Sequence, residues 1–144
     1  MELNNGETYL RYRSKFEAKQ AAHLEKNDVD FQYEPDSFEY EDPVGNGVCK
    51  LCGSTEVVKG RTYTPDFFFP ETHVYVETKG KFDAQSRRII QNVCEHYPDM
   101  DLRMVFQRDN PLQKGAKMRY SRWCELRDIP YAIGLIPIDW TTDD

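Results

Sequence analysis

With 144 residues the chain is one domain's worth, long enough to bury a core of its own and too short for a second full domain. A formal charge of −6 argues against a protein that coats nucleic acid indiscriminately, because phosphate binding relies on clustered Lys and Arg. No apolar run approaches the roughly 20 residues of a membrane span, and the polar N-terminus lacks a signal-peptide core. A cytoplasmic protein is therefore expected, its four cysteines being thiols or metal ligands rather than a disulfide framework. The charge is unevenly spread: basic residues gather at Arg11 to Lys19, Lys79 to Arg88 and Lys114 to Arg127, and much of the acid lies in Glu34 to Asp42 and at Asp143-Asp144.

In chain order, residues 1–12 have no clear period and read as a loose arm. Ser14-Lys15-Phe16-Glu17 is a capping box that opens a helix running to about residue 26, with Phe16, Ala21 and Leu24 as a thin apolar face and Asn27-Asp28 as its stop. Val29, Phe31 and Tyr33 alternate with polar residues as a strand, with Phe38 and Tyr40 as its continuation beyond Pro35. Asp42 to Gly60 breaks the pattern. Pro43, Gly45, Asn46 and Gly47 make a flexible connection, followed by the insertion-like Cys49-Lys50-Leu51-Cys52-Gly53. That spacing has the shape of one zinc-ribbon knuckle, yet a structural zinc usually needs four ligands and no second pair follows. Cys49 and Cys52 are either surface thiols or half of a zinc site completed by a second knuckle, or by His and another Cys.

Thr62 to Phe82 carries the chemistry. Strands at about 63–69 and 74–79, joined by a two-residue loop between Pro70 and His73, put Phe67 opposite Val76 and Asp66 opposite Glu77. Two carboxylates then share one face, with Lys79 beside Glu77 by the period of two. Like charges so placed repel, and a hard divalent cation such as Mg²⁺ removes the repulsion while leaving positions for water and phosphate. A Glu-x-Lys on a solvated hairpin face is also common, and Pro-Asp often only starts a strand.

Asp83 caps a helix that runs to about Tyr97, with Ile89, Ile90, Val93, Cys94 and Tyr97 on one side and Arg87 and Arg88 toward solvent. Leu102 to Phe106 is a short apolar strand and Gln107 to Lys117 a polar loop. Ser121 caps a final short helix through Arg127, and Ile129 to Ile138 adds a last strand and a tail packed by Trp140. Cys94 and Cys124 fall on apolar helical faces and read as core. The class is α/β with a mixed central sheet, in the order αβββαβ plus one small helix.

Pro65-Asp66 and Glu77-Thr78-Lys79 resemble the two halves of the PD-(D/E)xK nuclease signature, and αβββαβ is the restriction-endonuclease-like core of that superfamily. The resemblance to the phage endonuclease I family extends from Arg13 to Trp140. It is carried by Arg13-Ser14 with Glu17, Phe31-Gln32-Tyr33-Glu34, Thr62 to Phe67, Val76 to Gly80, His96-Tyr97-Pro98, Val105-Phe106, Lys114-Gly115, and Leu135-Ile136-Pro137 with Trp140. It implies a homodimer that cuts four-way (Holliday) junctions and other branched DNA with paired active sites, in the host cytoplasm. It also implies that the segment 13–42 is exchanged between subunits, with 43–61 as connection and 62–140 as catalytic core of a single nuclease domain spanning 1–144.

Carried over by position, Asp66, Glu77 and Lys79 are the expected triad and Glu17 a fourth acidic residue, supplied by the partner chain. A capping-box Glu points back at its own helix, whereas a metal-site Glu points out to the neighbouring chain, so the two readings of Glu17 compete. One or two Mg²⁺ (or Mn²⁺) ions are expected on Asp66, Glu77, Glu17 and the Thr78 carbonyl. Lys79 would orient the water or stabilise the phosphate. Arg13, Lys15, Lys81, Arg87, Arg88, Lys114, Lys117, Arg119 and Arg122 are candidates for DNA-backbone contacts, which position a duplex without reading sequence. The chain departs from the family in its acidic end, where relatives carry a basic tail, and in the Cys49 to Gly60 stretch. Competing readings are a sequence-specific or end-processing nuclease of the same fold, and a non-catalytic DNA-binding module.

Overall fold

The computed structural model describes residues 12–43 and 58–143. Most of the expected N-terminal arm, most of the flexible connection, and Cys49 and Cys52 lie outside the described residues. A five-stranded sheet has the order β1 (Gln32–Tyr33), β4 (Phe67–Phe69), β5 (Val74–Lys79), β6 (Asp101–Phe106), β7 (Tyr131–Ile133). The first two pairings are antiparallel and the last two parallel, so the sheet is mixed as expected. A separate antiparallel ribbon joins β2 (Phe38–Pro43) to β3 (Val58–Tyr63).

Each face of the sheet has its own core. Helix α1 (Lys15–Lys26) puts Ala18, Ala21 and Leu24 against Phe67, Phe69, Val74 and Val76. On the other face α2 (Ala84–His96) and α3 (Tyr120–Glu125) contribute Ile90, Val93, Trp123 and Cys124 to a core with Phe82, Met104 and Phe106. Ser14 and Asp83 cap α1 and α2 as their sequences predict, accepting from the N–H groups of Glu17 (3.1 Å) and Ser86 (2.9 Å). Cys124 is fully buried and Cys94 half-buried against the same core.

The fully buried Gln20 docks α1 as a peptide group would: its Nε2 donates to the Gly134 carbonyl (2.7 Å) and its Oε1 accepts from the Ile136 N–H (2.9 Å). His23 Nε2 lies 3.0 Å from the Ile136 carbonyl. The tail folds into a single 3₁₀ turn (Ile138–Trp140), with Trp140 under the Arg103 guanidinium. Among the described residues no helix is long and apolar enough to cross a membrane.

Three expectations needed correction. The strand read from Val29 through Tyr40 is two strands: Glu34 adopts φ +50° and gives its N–H to the Asp66 carbonyl (2.9 Å), which ends β1 and turns the chain away into the ribbon. The hairpin has the expected register, Phe67 opposite Val76, but its first strand is only Phe67–Phe69 rather than 63–69, so Asp66 precedes the ladder instead of pairing with Glu77, and its loop is four residues long, closed by the His73 N–H on the Phe69 carbonyl (2.8 Å). Ser121 does not cap α3, because its hydroxyl and N–H both bind the Asp109 carboxylate and Arg119 takes the cap position.

Candidate active site

Asp66 sits one residue before β4, where the antiparallel ladder stops. Its side chain takes over from the missing backbone partner: Oδ2 accepts from both the N–H and the hydroxyl of Thr78, each at 2.8 Å. One oxygen of this almost fully buried carboxylate is thereby tied to β5, and the other, Oδ1, faces the α1 side. The same design recurs in its neighbours. Glu77 Oε2 accepts from Tyr63 Oη (2.6 Å), and Glu17 Oε2 accepts from Tyr33 Oη (3.0 Å). Each of the three buried carboxylates therefore has one oxygen held by a protein donor, which fixes the orientation of the second.

Glu17 does not close the capping box. Ser14 caps α1, but the Glu17 carboxylate turns away from its helix toward Tyr33 and Asp66. Oxygens of Glu17, Glu34 and Asp66 lie within 4.8 Å of one another. All three belong to the chain described, so a single chain assembles the cluster. Glu34 was not singled out from sequence, although it closes the Phe31 to Glu34 motif; its left-handed backbone and its bond to the Asp66 carbonyl bring it in. Tyr33 and Tyr63 were also missed as holders of carboxylates.

The electrostatics are those of acids short of counter-charge. Burial, and then the charge of Asp66, push Glu17 up to about 7. Burial and Asp66 also push Glu77 well above the ordinary carboxylate range, against the opposing pull of Lys79 and Tyr63. Lys79 is half-buried and lines, with Glu77, Tyr63, Arg13 and Ser86, an open cavity of about 280 Å³. Arg13 spans the cluster: Nη2 is 2.9 Å from Asp66 Oδ1 and 3.7 Å from Glu17 Oε1, and Nε is 2.6 Å from Glu34 Oε1.

This donor set suits a hard divalent cation. Oxygens of Glu17, Glu34 and Asp66 converge, all are carboxylate, and burial pushes Glu17 up here and Glu77 up beside Asp66. Glu77 and Lys79 lie on β5 as expected, Asp66 stands just before β4 and is tied to β5 through Thr78, and Glu17 is brought in by α1.

The expected DNA-contact residues divide. Lys15, Lys81, Lys114 and Lys117 are exposed. Arg119 and Arg122 are exposed too, but donate to the Asp109 carbonyl (2.7 Å) and pair with Glu125 (3.3 Å). Arg87 is turned inward, donating to the carbonyls of Phe82 (2.7 Å) and Leu112 (3.3 Å), so it braces the turn before α2 rather than facing solvent. Arg88 pairs with Asp42 (2.8 Å) of the ribbon, as does Arg61 (2.8 Å). A groove of about 600 Å³ between the ribbon and α2, lined by Arg61 and Arg88, shares Tyr40, Thr62 and Ile89 with the cavity at Glu77 and Lys79.

The sequence is similar to known proteins. The sequence model of the family described as phage endonuclease I matches residues 3–144. Endonuclease I of Escherichia phage T7 is 33% identical over 130 residues, covering 90% of this chain and 77% of that protein. Endodeoxyribonuclease 1 of Enterobacteria phage T3 is 32% identical over 128 residues, covering 88% and 74%. A match over nearly the whole length, with both halves of the carboxylate hairpin inside it, makes this chain a member of the phage endonuclease I family.

Proposed function

We propose that the protein is a structure-selective, Mg²⁺-dependent endodeoxyribonuclease that resolves four-way junctions and other branched DNA in the host cytoplasm. It works as a homodimer whose 13–42 segments are exchanged. The observation that carries the reading is the meeting of Asp66, Glu77, Lys79 and Glu17 around oriented, counter-charge-deficient carboxylates in a member of an endonuclease family. Asp66 Oδ1, Glu17 Oε1, Glu77 and the Thr78 carbonyl would hold the cation. Bound there, it supplies Lewis-acid charge for the phosphate and a lowered water pKa.

The chain's own groups do the rest. Thr78 fixes the Asp66 carboxylate from β5, Tyr63 fixes Glu77, and Tyr33 fixes Glu17, so little reorganisation remains when a phosphodiester enters. Lys79, beside Glu77 at the cavity wall, orients the attacking water or stabilises the phosphate charge. The exposed Lys15, Lys81, Lys114 and Lys117 contact the DNA backbone, and such contacts suit recognition of branch geometry rather than sequence. Cys49 and Cys52 are proposed as zinc ligands, with elemental analysis of chelator-free protein as the measurement and an absence of zinc as the refuting result.

The deciding experiment incubates purified protein with a four-way junction and with linear duplex, each with Mg²⁺ or EDTA. Junction cleavage only with Mg²⁺, and little duplex cleavage, is expected. Equal cutting of both substrates returns the chain to a sequence-specific or end-processing nuclease, and binding without cutting makes it a DNA-binding module.

A further inference from the structure

Arg13 holds a position in the cluster that its place in the sequence does not announce. Its backbone is fixed: the Arg13 N–H donates to Tyr33 Oη (3.3 Å), and Ser14, the next residue, caps α1. Its side chain is not enclosed. It is 64% exposed, whereas the side chains it binds, Asp66 at 1% and Glu17 at 7%, are buried. The guanidinium therefore lies across the mouth of the cluster, able to swing outward without disturbing the core.

The contacts divide between two ends of the guanidinium. Nη2 sits on Asp66 Oδ1, the one oxygen of Asp66 that Thr78 leaves open. Nε sits on Glu34 Oε1, and Glu34 is held to Asp66 by its own backbone N–H. A guanidinium stays charged at any working pH, so it serves as counter-cation to acids that would otherwise face one another with nothing between them. A divalent ion bound by the same oxygens would stand a carboxylate's width from that charge. The two cations repel, and the one that gives way is the exposed side chain.

We propose that Arg13 is the resident counter-cation of the carboxylate cluster: it yields Asp66 Oδ1 to the divalent ion and, still tethered to Glu34, turns outward to the phosphate being cut. This rests on the reading of the protein as a metal-dependent nuclease. In the metal-free protein Arg13 stabilises the cluster and competes with the ion. In the loaded complex it meets the substrate's negative charge at the point where the mouth opens.

The test compares Arg13→Gln and Arg13→Lys with the parent chain, using Mn²⁺ as the probe. Metal affinity is read by calorimetry, melting temperature with and without Mn²⁺, and junction cleavage at saturating Mn²⁺. Arg13→Gln is expected to bind Mn²⁺ about fivefold more tightly, the scale of a half-exposed ion pair removed. It should melt lower than the parent without metal, regain that loss when loaded, and cleave about tenfold or more slowly, the scale of a lost hydrogen bond to a charged group. Arg13→Lys keeps the charge but cannot span Asp66 and Glu34 together, so it should fall between and serves if the Gln variant does not fold. A purely structural Arg13 would lower the melting temperature equally in both states and leave Mn²⁺ affinity unchanged, which overturns the proposal, as does weaker Mn²⁺ binding. A parent that binds no Mn²⁺ removes the nuclease reading and this inference with it; unchanged affinity in the variants of a binding parent removes this inference alone.

Discussion

Asp42 and Asp66 are both buried aspartates with an arginine alongside, and they are electrostatic opposites. Asp42 accepts from Arg61 (2.8 Å), Arg88 (2.8 Å) and Asn92 (3.2 Å). Burial alone would raise it, but hydrogen bonds from the two arginines outweigh that and hold it below the ordinary carboxylate range. Two cations serve one acid. Around Asp66, Arg13 and Lys79 serve four acids, Glu17, Glu34, Asp66 and Glu77, and two of those are pushed upward. Burial does not separate the two acids; the ratio of cations to carboxylates around them does. Asp42 is a knot that ties the ribbon to α2, and the Asp66 cluster is a site left short of positive charge.

The sharpest way to break that contrast is to delete each side in turn. Asp66→Ala or Lys79→Ala should fold and bind junctions but cleave at least about a hundredfold more slowly, as expected for loss of a group acting on the reacting atoms. Asp42→Ala should still cleave, while losing about 1–2 kcal/mol of stability, because its half-exposed arginines can return to water. Full activity of Asp66→Ala on a four-way junction would refute the catalytic assignment.

A smaller but more pointed effect concerns which chain completes the cluster. Co-expressed Glu17→Ala and Asp66→Ala subunits, purified as a mixed dimer through different tags, should regain one intact site and nick one strand if α1 is exchanged. Such a heterodimer as inactive as both homodimers would mean that Glu17 serves its own chain.

The smallest effect is on stability against pH. Glu17 and Glu77 have folded values raised above their unfolded ones, so what they contribute is fully present below the unfolded value and is lost as pH rises through the folded one. For Glu17 that window runs from its ordinary carboxylate value to about 7. The metal-free protein should melt a few degrees higher near the bottom of this window than above it, and Glu17→Gln should flatten the slope. Asp42, held low, puts its contribution at higher pH and loses it only in acid, so Asp42→Asn should leave the neutral slope untouched. A Glu17→Gln slope equal to the parent's would contradict the shift.

What could be read in advance was whatever local chemistry decides. Ser14 and Asp83 announced α1 and α2, and alternation around Pro70 to His73 fixed the register of Phe67 opposite Val76. What could not be read depends on tertiary placement. A left-handed glutamate has no local signature, so the turn at Glu34 and its arrival beside Asp66 were invisible. Gly60 between Lys59 and Arg61 hid the alternation of β3. The hydroxyls of Tyr33 and Tyr63 looked like ordinary strand residues, because their carboxylate partners lie 16 and 14 positions away.

The amide of Gln20 has a consequence for the order of assembly. It joins α1 to Gly134 and Ile136 across 114 and 116 positions, close to the full length of the chain. Contacts of such span form after local ones, because the intervening loop must close first. The segment that accepts α1 must therefore be in place before the helix docks, whichever copy of the helix arrives. Glu17, three residues upstream on that helix, is thus held beside Asp66 by a long-range contact, while the hairpin that carries Asp66 and Glu77 closes locally.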